Sequence, residues 1–184
     1  MGYPTIEKFD VRFIERTKEN VANFTGNNKF THLLNSLIGL IFIPHEFYKK
    51  GRFFKVDFLD KFISDYVVLG KIFSGNVKIE NDRGQNITQN KFYYKDNKGQ
   101  EQSIETTKLR DLVRLFRNSI AHQNITPVAE GKNWIGIIVR NYKNKTDMAN
   151  GIFNFEVYLN QKEVLSFATL ISTEYLENII PKNK

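Results

Sequence analysis

The chain has 184 residues, of which 41% are hydrophobic and 26% charged, enough for one domain with a sizeable core and unlike the composition of a disordered segment. It carries no cysteine, which excludes disulfides and thiolate chemistry. A formal net charge of +7 favours polyanionic partners, nucleic acid before a membrane surface.

The first residues, MGYPTIEKFDVRF, hold no apolar signal core, and Ile6 stands where a myristoylation site wants Ser or Thr. This reads as a cytoplasmic protein with no membrane partner. Residues 5–24 have the spacing of a helix that turns Phe9, Phe13, Val21 and Phe24 inward, with Gly26-Asn27-Asn28 as its stop signal. Residues 33–43 are nearly continuous apolar sequence, too short to span a bilayer, and predict a buried central helix that Pro44 ends or kinks. His32 at its start reads as structural. His45-Glu46 lacks the second histidine four residues on that a zinc-protease helix requires.

Residues 56–74 again show helical spacing, through Phe58, Phe62, Ile63, Tyr66, Leu69 and Phe73, closed by Gly75. From Asn76 to Glu105 the chain turns polar, with turn signals at Asp82-Arg83-Gly84 and Asp96-Asn97-Lys98-Gly99 and short strands near 77–79 and 91–94. Residues 107–123 form the most informative stretch. At about 100° per residue, Leu109, Leu112, Val113, Phe116 and Ile120 share one apolar stripe. His122 falls on the other side, one turn after Asn118, with Arg117 between the two faces and Arg110 and Arg114 along a basic flank.

Residues 125–132, with Pro127 and Gly131, read as a loop. Two alternating runs follow, WIGIIVRNY (134–142) and IFNFEVYL (152–159), joined by a turn-rich connection, and these predict an antiparallel hairpin. Residues 161–180 predict a last helix with Val164, Phe167, Ala168, Ile171, Tyr175 and Ile179 inward. The expected architecture is mainly α: a single domain over 1–184, a helical bundle built from about 5–74, 106–124 and 161–180. A polar insert (about 76–105) and an appended hairpin (about 134–159) complete it.

No nucleophile elbow, Walker pattern or metal-ligand spacing is present, so the reading calls for no metal and no cofactor. What remains is Arg117-Asn-Ser-Ile-Ala-His122. Imidazole titrates near neutrality and suits proton transfer at a ribose 2′-hydroxyl or a departing 5′-oxygen. A guanidinium suits a phosphate whose oxygens gain charge in the transition state. The spacing alone decides little, because about 0.4 such pairs arise by chance in this composition. Its placement off the apolar stripe, beside Asn118 and on a basic helix, adds more.

Arg-Asn-Ser-Ile-Ala-His resembles the Arg-(four to six residues)-His motif of HEPN domains, in which a polar residue, often Asn, follows the Arg. LRDLVRLFRNSIAHQNI is similar to the late motif helix of that family, and NSLIGLIFIPHE and the hairpin-then-helix ending to a bacterial branch of it. The resemblance implies a metal-independent endoribonuclease built as a homodimer, a toxin or phage-defence effector with RNA as substrate and an antitoxin or defence-system protein as a further partner. Carried over by position, Arg117 and His122 would be catalytic and Asn118 supporting. Lys108, Arg110 and Arg114 would steer the phosphate backbone. Arg117 and His122 lie about 140° apart on an ideal helix, which fits a composite site across a two-fold axis, with Leu115 at the dimer seam. Two other readings stay open: a non-catalytic module that binds RNA, a nucleotide or a partner protein, and a plain dimerisation module.

Overall fold

The computed structural model describes residues 9–25, 29–42, 46, 57–80, 85–130 and 133–179, in two compact units. Residues 1–57 with 167–184 form the first and 58–166 the second.

The first unit is helical. Helix α1 (Phe9–Asn23) and helix α2 (Lys29–Leu37), which runs on into a π-helical turn (Ile38–Phe42), meet at Gly39. A Cβ there would sit 2.5 Å from the Thr17 hydroxyl and 2.9 Å from the Phe13 ring, so glycine is what lets the two backbones close. The inward face of α1 differs from the expected one. Phe9 and Phe13 are 42% and 37% exposed, whereas Ile14 and Asp10 are fully buried. Asp10 goes inside because the Tyr175 hydroxyl donates to its carboxylate at 2.5 Å, and a satisfied acid can be buried where a bare one cannot. Leu33, Leu37, Leu40 and Ile41 are buried as the apolar run predicts. His32 stacks on Phe24 at 4.2 Å, a packing role. Pro44, His45, the 26–28 stop signal and the 82–84 turn lie outside the described residues.

The second unit overturns the expectation of a helical bundle with one appended hairpin. The predicted helix over 56–74 resolves into two 3-10 turns (Phe58–Asp60 and Ile63–Asp65) and then α3 (Val67–Phe73), with Gly75 at φ 83 after its end. Strands β1 (Asn76–Glu80) and β2 (Asn86–Asn90) pair as a two-stranded sheet. Strands β3 (Phe92–Lys95) and β4 (Glu101–Gln102) follow, then α4 (Leu109–Ala121). The stretch read as a loop is strand β5 (Ile125–Glu130), followed by β6 (Asn133–Asn141), a short α5 (Lys145–Ala149), β7 (Phe155–Asn160) and α6 (Gln161–Asn178).

The hairpin β6–β7 therefore exists, but as the centre of a five-stranded antiparallel sheet of order β4-β3-β7-β6-β5. Pro127 is tolerated because β5 is an edge strand, where a missing N–H costs no ladder bond. Phe155 anchors one face of the sheet, meeting Phe92, Tyr94 and the Phe116 ring of α4 edge-on at 5.8–6.3 Å. On the other face Ile138 and Tyr158 are covered by Val77 and Ile79 of β1. Buried there too is Glu156, gripped by Arg140 at 2.6 Å and Gln89 at 2.9 Å. With both faces covered, every residue of β7 from Phe155 to Leu159 is buried, which a one-faced alternating strand would not show. A reciprocal capping box starts α6: Asn160 Oδ1 accepts from the Glu163 N–H, and Glu163 Oε2 from the Asn160 N–H. Among the described residues no helix is long and apolar enough to cross a membrane.

Gly136 is the tight point of the sheet, since a Cβ would come within 2.7 Å of the Leu159 carbonyl and 2.8 Å of the Tyr158 hydroxyl. Gly136→Ala is expected to destabilise the fold by about 1–3 kcal/mol in urea unfolding, the usual cost of overpacking.

Candidate active site

Helix α4 is placed by its apolar side. Leu109, Leu112, Val113 and Phe116 are at most 1% exposed, as the stripe predicts, while Ile120 at its end is half-buried, and the helix lies against β6. The buried arc is wider than that stripe, because Leu115 and Ser119 are inside as well. Ser119 tolerates this by donating its hydroxyl to the Leu115 carbonyl at 2.8 Å. Leu115, expected off the stripe at a dimer seam, is instead 1% exposed and part of this chain's own core.

The helix ends in a Schellman motif. The Gln123 N–H donates to the Ile120 carbonyl at 3.0 Å and the Asn124 N–H to Ser119 at 2.8 Å, with Gln123 at φ 58. Glycine usually fills that left-handed position. The turn makes His122 the C-cap residue, with its side chain exposed and its N–H bonded to the Asn118 carbonyl at 3.0 Å.

Four-residue steps put Arg114, Asn118 and His122 in one line along α4, and all three border an open cleft of about 310 Å³. Its other wall comes from the ends of the central strands, Asn141 with Tyr142 and Lys143 after β6, and Asn154 before β7. Asn97, in the turn between β3 and β4, completes the rim. Asn141 and Asn154 join the strand ends, the Asn141 Nδ2 donating to the Asn154 Oδ1 at 2.9 Å. Asp96 shapes the Asn97 turn by accepting from the N–H groups of Lys98 and Gln100, each at 2.9 Å. None of these residues stood out in the sequence. The Asn-Tyr-Lys that ends an alternating run and the asparagine of the Asp-Asn-Lys-Gly turn were the available signals.

The predicted residues thus divide. Arg114, Asn118 and His122 come together at the cleft. Arg117 reaches it only through Asn118, to whose Oδ1 its Nη1 donates at 3.2 Å. Lys108 and Arg110 instead converge on one carboxylate, Asp60, at 3.0 and 2.5 Å. Arg114 meets Asp111 at 3.2 Å. The expected basic strip is therefore largely matched by acids from its own neighbourhood. Beneath Arg114, burial, with the Asp111 carboxylate adding to it, holds the Tyr94 phenol above its ordinary 10.0 against the opposing pull of Arg114.

Two outcomes follow. Gln123→Gly is expected to raise stability by about 1 kcal/mol in urea unfolding, and Gln123→Val to lower it by about 1–2 kcal/mol. The native Tyr94 holds its proton more tightly than the unfolded chain does, so that contribution is intact below the unfolded pKa and is lost as pH rises through the folded one. Thermal melts between about pH 9 and about pH 11 should show falling stability, with a shallower fall for Tyr94→Phe.

No curated protein and no solved structure matches the chain. A sequence model of one family, described as HEPN pEK499 p136, matches residues 1–182. With that match covering nearly the whole chain, and the Arg117-to-His122 motif at the end of α4, the protein belongs to this HEPN family.

Proposed function

We propose that the protein is a metal-independent endoribonuclease of the HEPN type that acts as a toxin or phage-defence effector. The observation that carries the reading is the end of α4, where an exposed His122 lies one turn from Asn118 and Asn118 is bonded to the Arg117 guanidinium, in a chain of a HEPN family.

The chemistry follows from these groups. His122 takes the proton of a ribose 2′-hydroxyl, and the 2′-oxygen bonds to phosphorus. The bond from phosphorus to the 5′-oxygen breaks, a second acid protonates that oxygen, and a 2′,3′-cyclic phosphate remains. A guanidinium stabilises the added charge on the phosphoryl oxygens. Arg117 diverges from His122 on the helix and does not border the cleft that His122 borders. A homodimer resolves this: two α4 helices related by a two-fold axis set the Arg117 of one copy beside the His122 of the other, and the second histidine serves as the acid.

A second reading, a HEPN module that binds RNA, a nucleotide or a partner protein without cleaving, is favoured by one observation. Asp60, shared by Lys108 and Arg110, and Asp111, paired with Arg114, offset two of these three positive charges, which weakens phosphate steering. The two readings separate on purified protein and structured RNA in EDTA. His122→Ala is expected to reduce cleavage by about 10²–10⁴-fold while leaving the unfolding midpoint unchanged, because the side chain is exposed. Arg117→Ala should lose cleavage comparably. Intact RNA with wild type would favour the binding module, and equal cleavage by both variants would place the chemistry elsewhere.

A further inference from the structure

The groups around the cleft are of two kinds. Some are committed within the protein: Asn154 Nδ2 donates to the Lys95 carbonyl at 3.3 Å, its Oδ1 accepts from Asn141, and Arg114 is held by Asp111. Others have no partner among the described residues. These are the side-chain amide of Asn97, Nδ2 of Asn118, Oδ1 of Asn141, the ring and hydroxyl of Tyr142, and the imidazole of His122. One half-buried aromatic ring and a set of unused amide donors and acceptors therefore face a single space.

That combination fits a nucleobase. Aromatic rings offer a stacking face to any base, and amides match the mixed donors and acceptors of a base edge. At about 310 Å³ the cleft lies at the small end of ligand sites, with room for one nucleotide and none for a base-paired step. Its charge is modest: Arg114 is matched by Asp111, which leaves Lys143 as the one lining cation without an acid among the described residues. Recognition here runs through the base more than through the phosphates.

We propose that this cleft takes one unstacked nucleotide of a single-stranded RNA, its base laid on Tyr142 and its edge met by the amides of Asn118 and Asn141. The inference deepens the reading of α4 as an RNA site and rests on it. It makes Tyr142 a residue that selects an unstacked nucleotide over a paired one, across the same cleft from His122.

The test is binding, independent of cleavage. A short fluorescent 2′-O-methyl oligomer, which lacks the attacking hydroxyl, is titrated by anisotropy as a single strand and as a duplex. The single strand should bind more tightly, with a log–log salt slope of about −1, the mark of one or two phosphate contacts. Tyr142→Ala should weaken it about tenfold and Tyr142→Phe by less than about twofold, since phenylalanine keeps the stacking face. Equal affinity for duplex, no change with Tyr142→Ala, or no binding at all would overturn the proposal. So would displacement of the oligomer by a mixture of free 5′-mononucleotides, which would assign the cleft to a free nucleotide. Tyr142-dependent binding without any cleavage would leave this inference standing and remove the ribonuclease reading. Cleavage that needs His122 but ignores Tyr142 would do the reverse.

Discussion

The packing of α4 on the central sheet is the constraint from which the site follows. Phe116 meets Phe155 at 5.8 Å, and Leu112 and Val113 are buried on the same helix. Leu and Phe side chains of this size each contribute on the order of 1.5–3 kcal/mol when buried, so α4 has little freedom to rotate or slide. Fixing that side fixes the other. Arg114, Asn118 and His122 are then carried to one line, and the strand ends after β6 and before β7 arrive opposite them. The left-handed Gln123 stops the helix at His122 and sends the chain straight into β5, where the Arg140 N–H of the neighbouring strand donates to the Asn124 carbonyl at 3.0 Å. Backbone strain at one residue is thus placed directly beside the candidate catalytic histidine.

Charge plays a smaller part than a net +7 suggests. Lys108 and Arg110 share Asp60, and Arg114, the α4 cation that borders the cleft, is met by Asp111, so the local field is weaker than a count of lysines and arginines implies. The cleft is instead rich in amides and holds one half-buried aromatic ring, Tyr142, with no ring stacking or side-chain hydrogen bond among the described residues. Such a surface suits recognition by hydrogen-bond pattern and stacking, which added salt weakens less than it weakens contacts between exposed charges.

The helices with a clear 3.6-residue pattern were legible in the sequence, α4 and α6 above all, and so was the pairing of β6 with β7. The sheet around that pair was not. β5 carries Pro127, ordinarily a reason against a strand, and only its place at the edge makes it one. β4 is two residues long, and β3, the short strand expected near 91–94, carries no signal of its pairing beside β7. Nothing in the local sequence marks Asp10 for burial, because its partner, Tyr175, is 165 positions away. At the site, the line of Asn118 and His122 followed from helical spacing alone. Leu115 did not, since a stripe drawn from one neighbour underestimates the arc buried by several. Of the cleft's asparagines, Asn97 reads as a turn residue and Asn141 and Asn154 as members of the two alternating runs, and the register Asn141↔Phe155 brings those two together.

The proposed activity of this HEPN protein is RNA cleavage by attack of the 2′-oxygen without a metal. The most direct measurement is the chemistry of the ends it leaves. RNA treated with wild-type protein in EDTA should give fragments whose 3′ ends are 2′,3′-cyclic phosphates and whose partners begin with 5′-hydroxyls. A single 2′-deoxy substitution at the cut position should abolish that cut. Fragments with 5′-phosphates, or continued cutting at the deoxy position, would contradict the account.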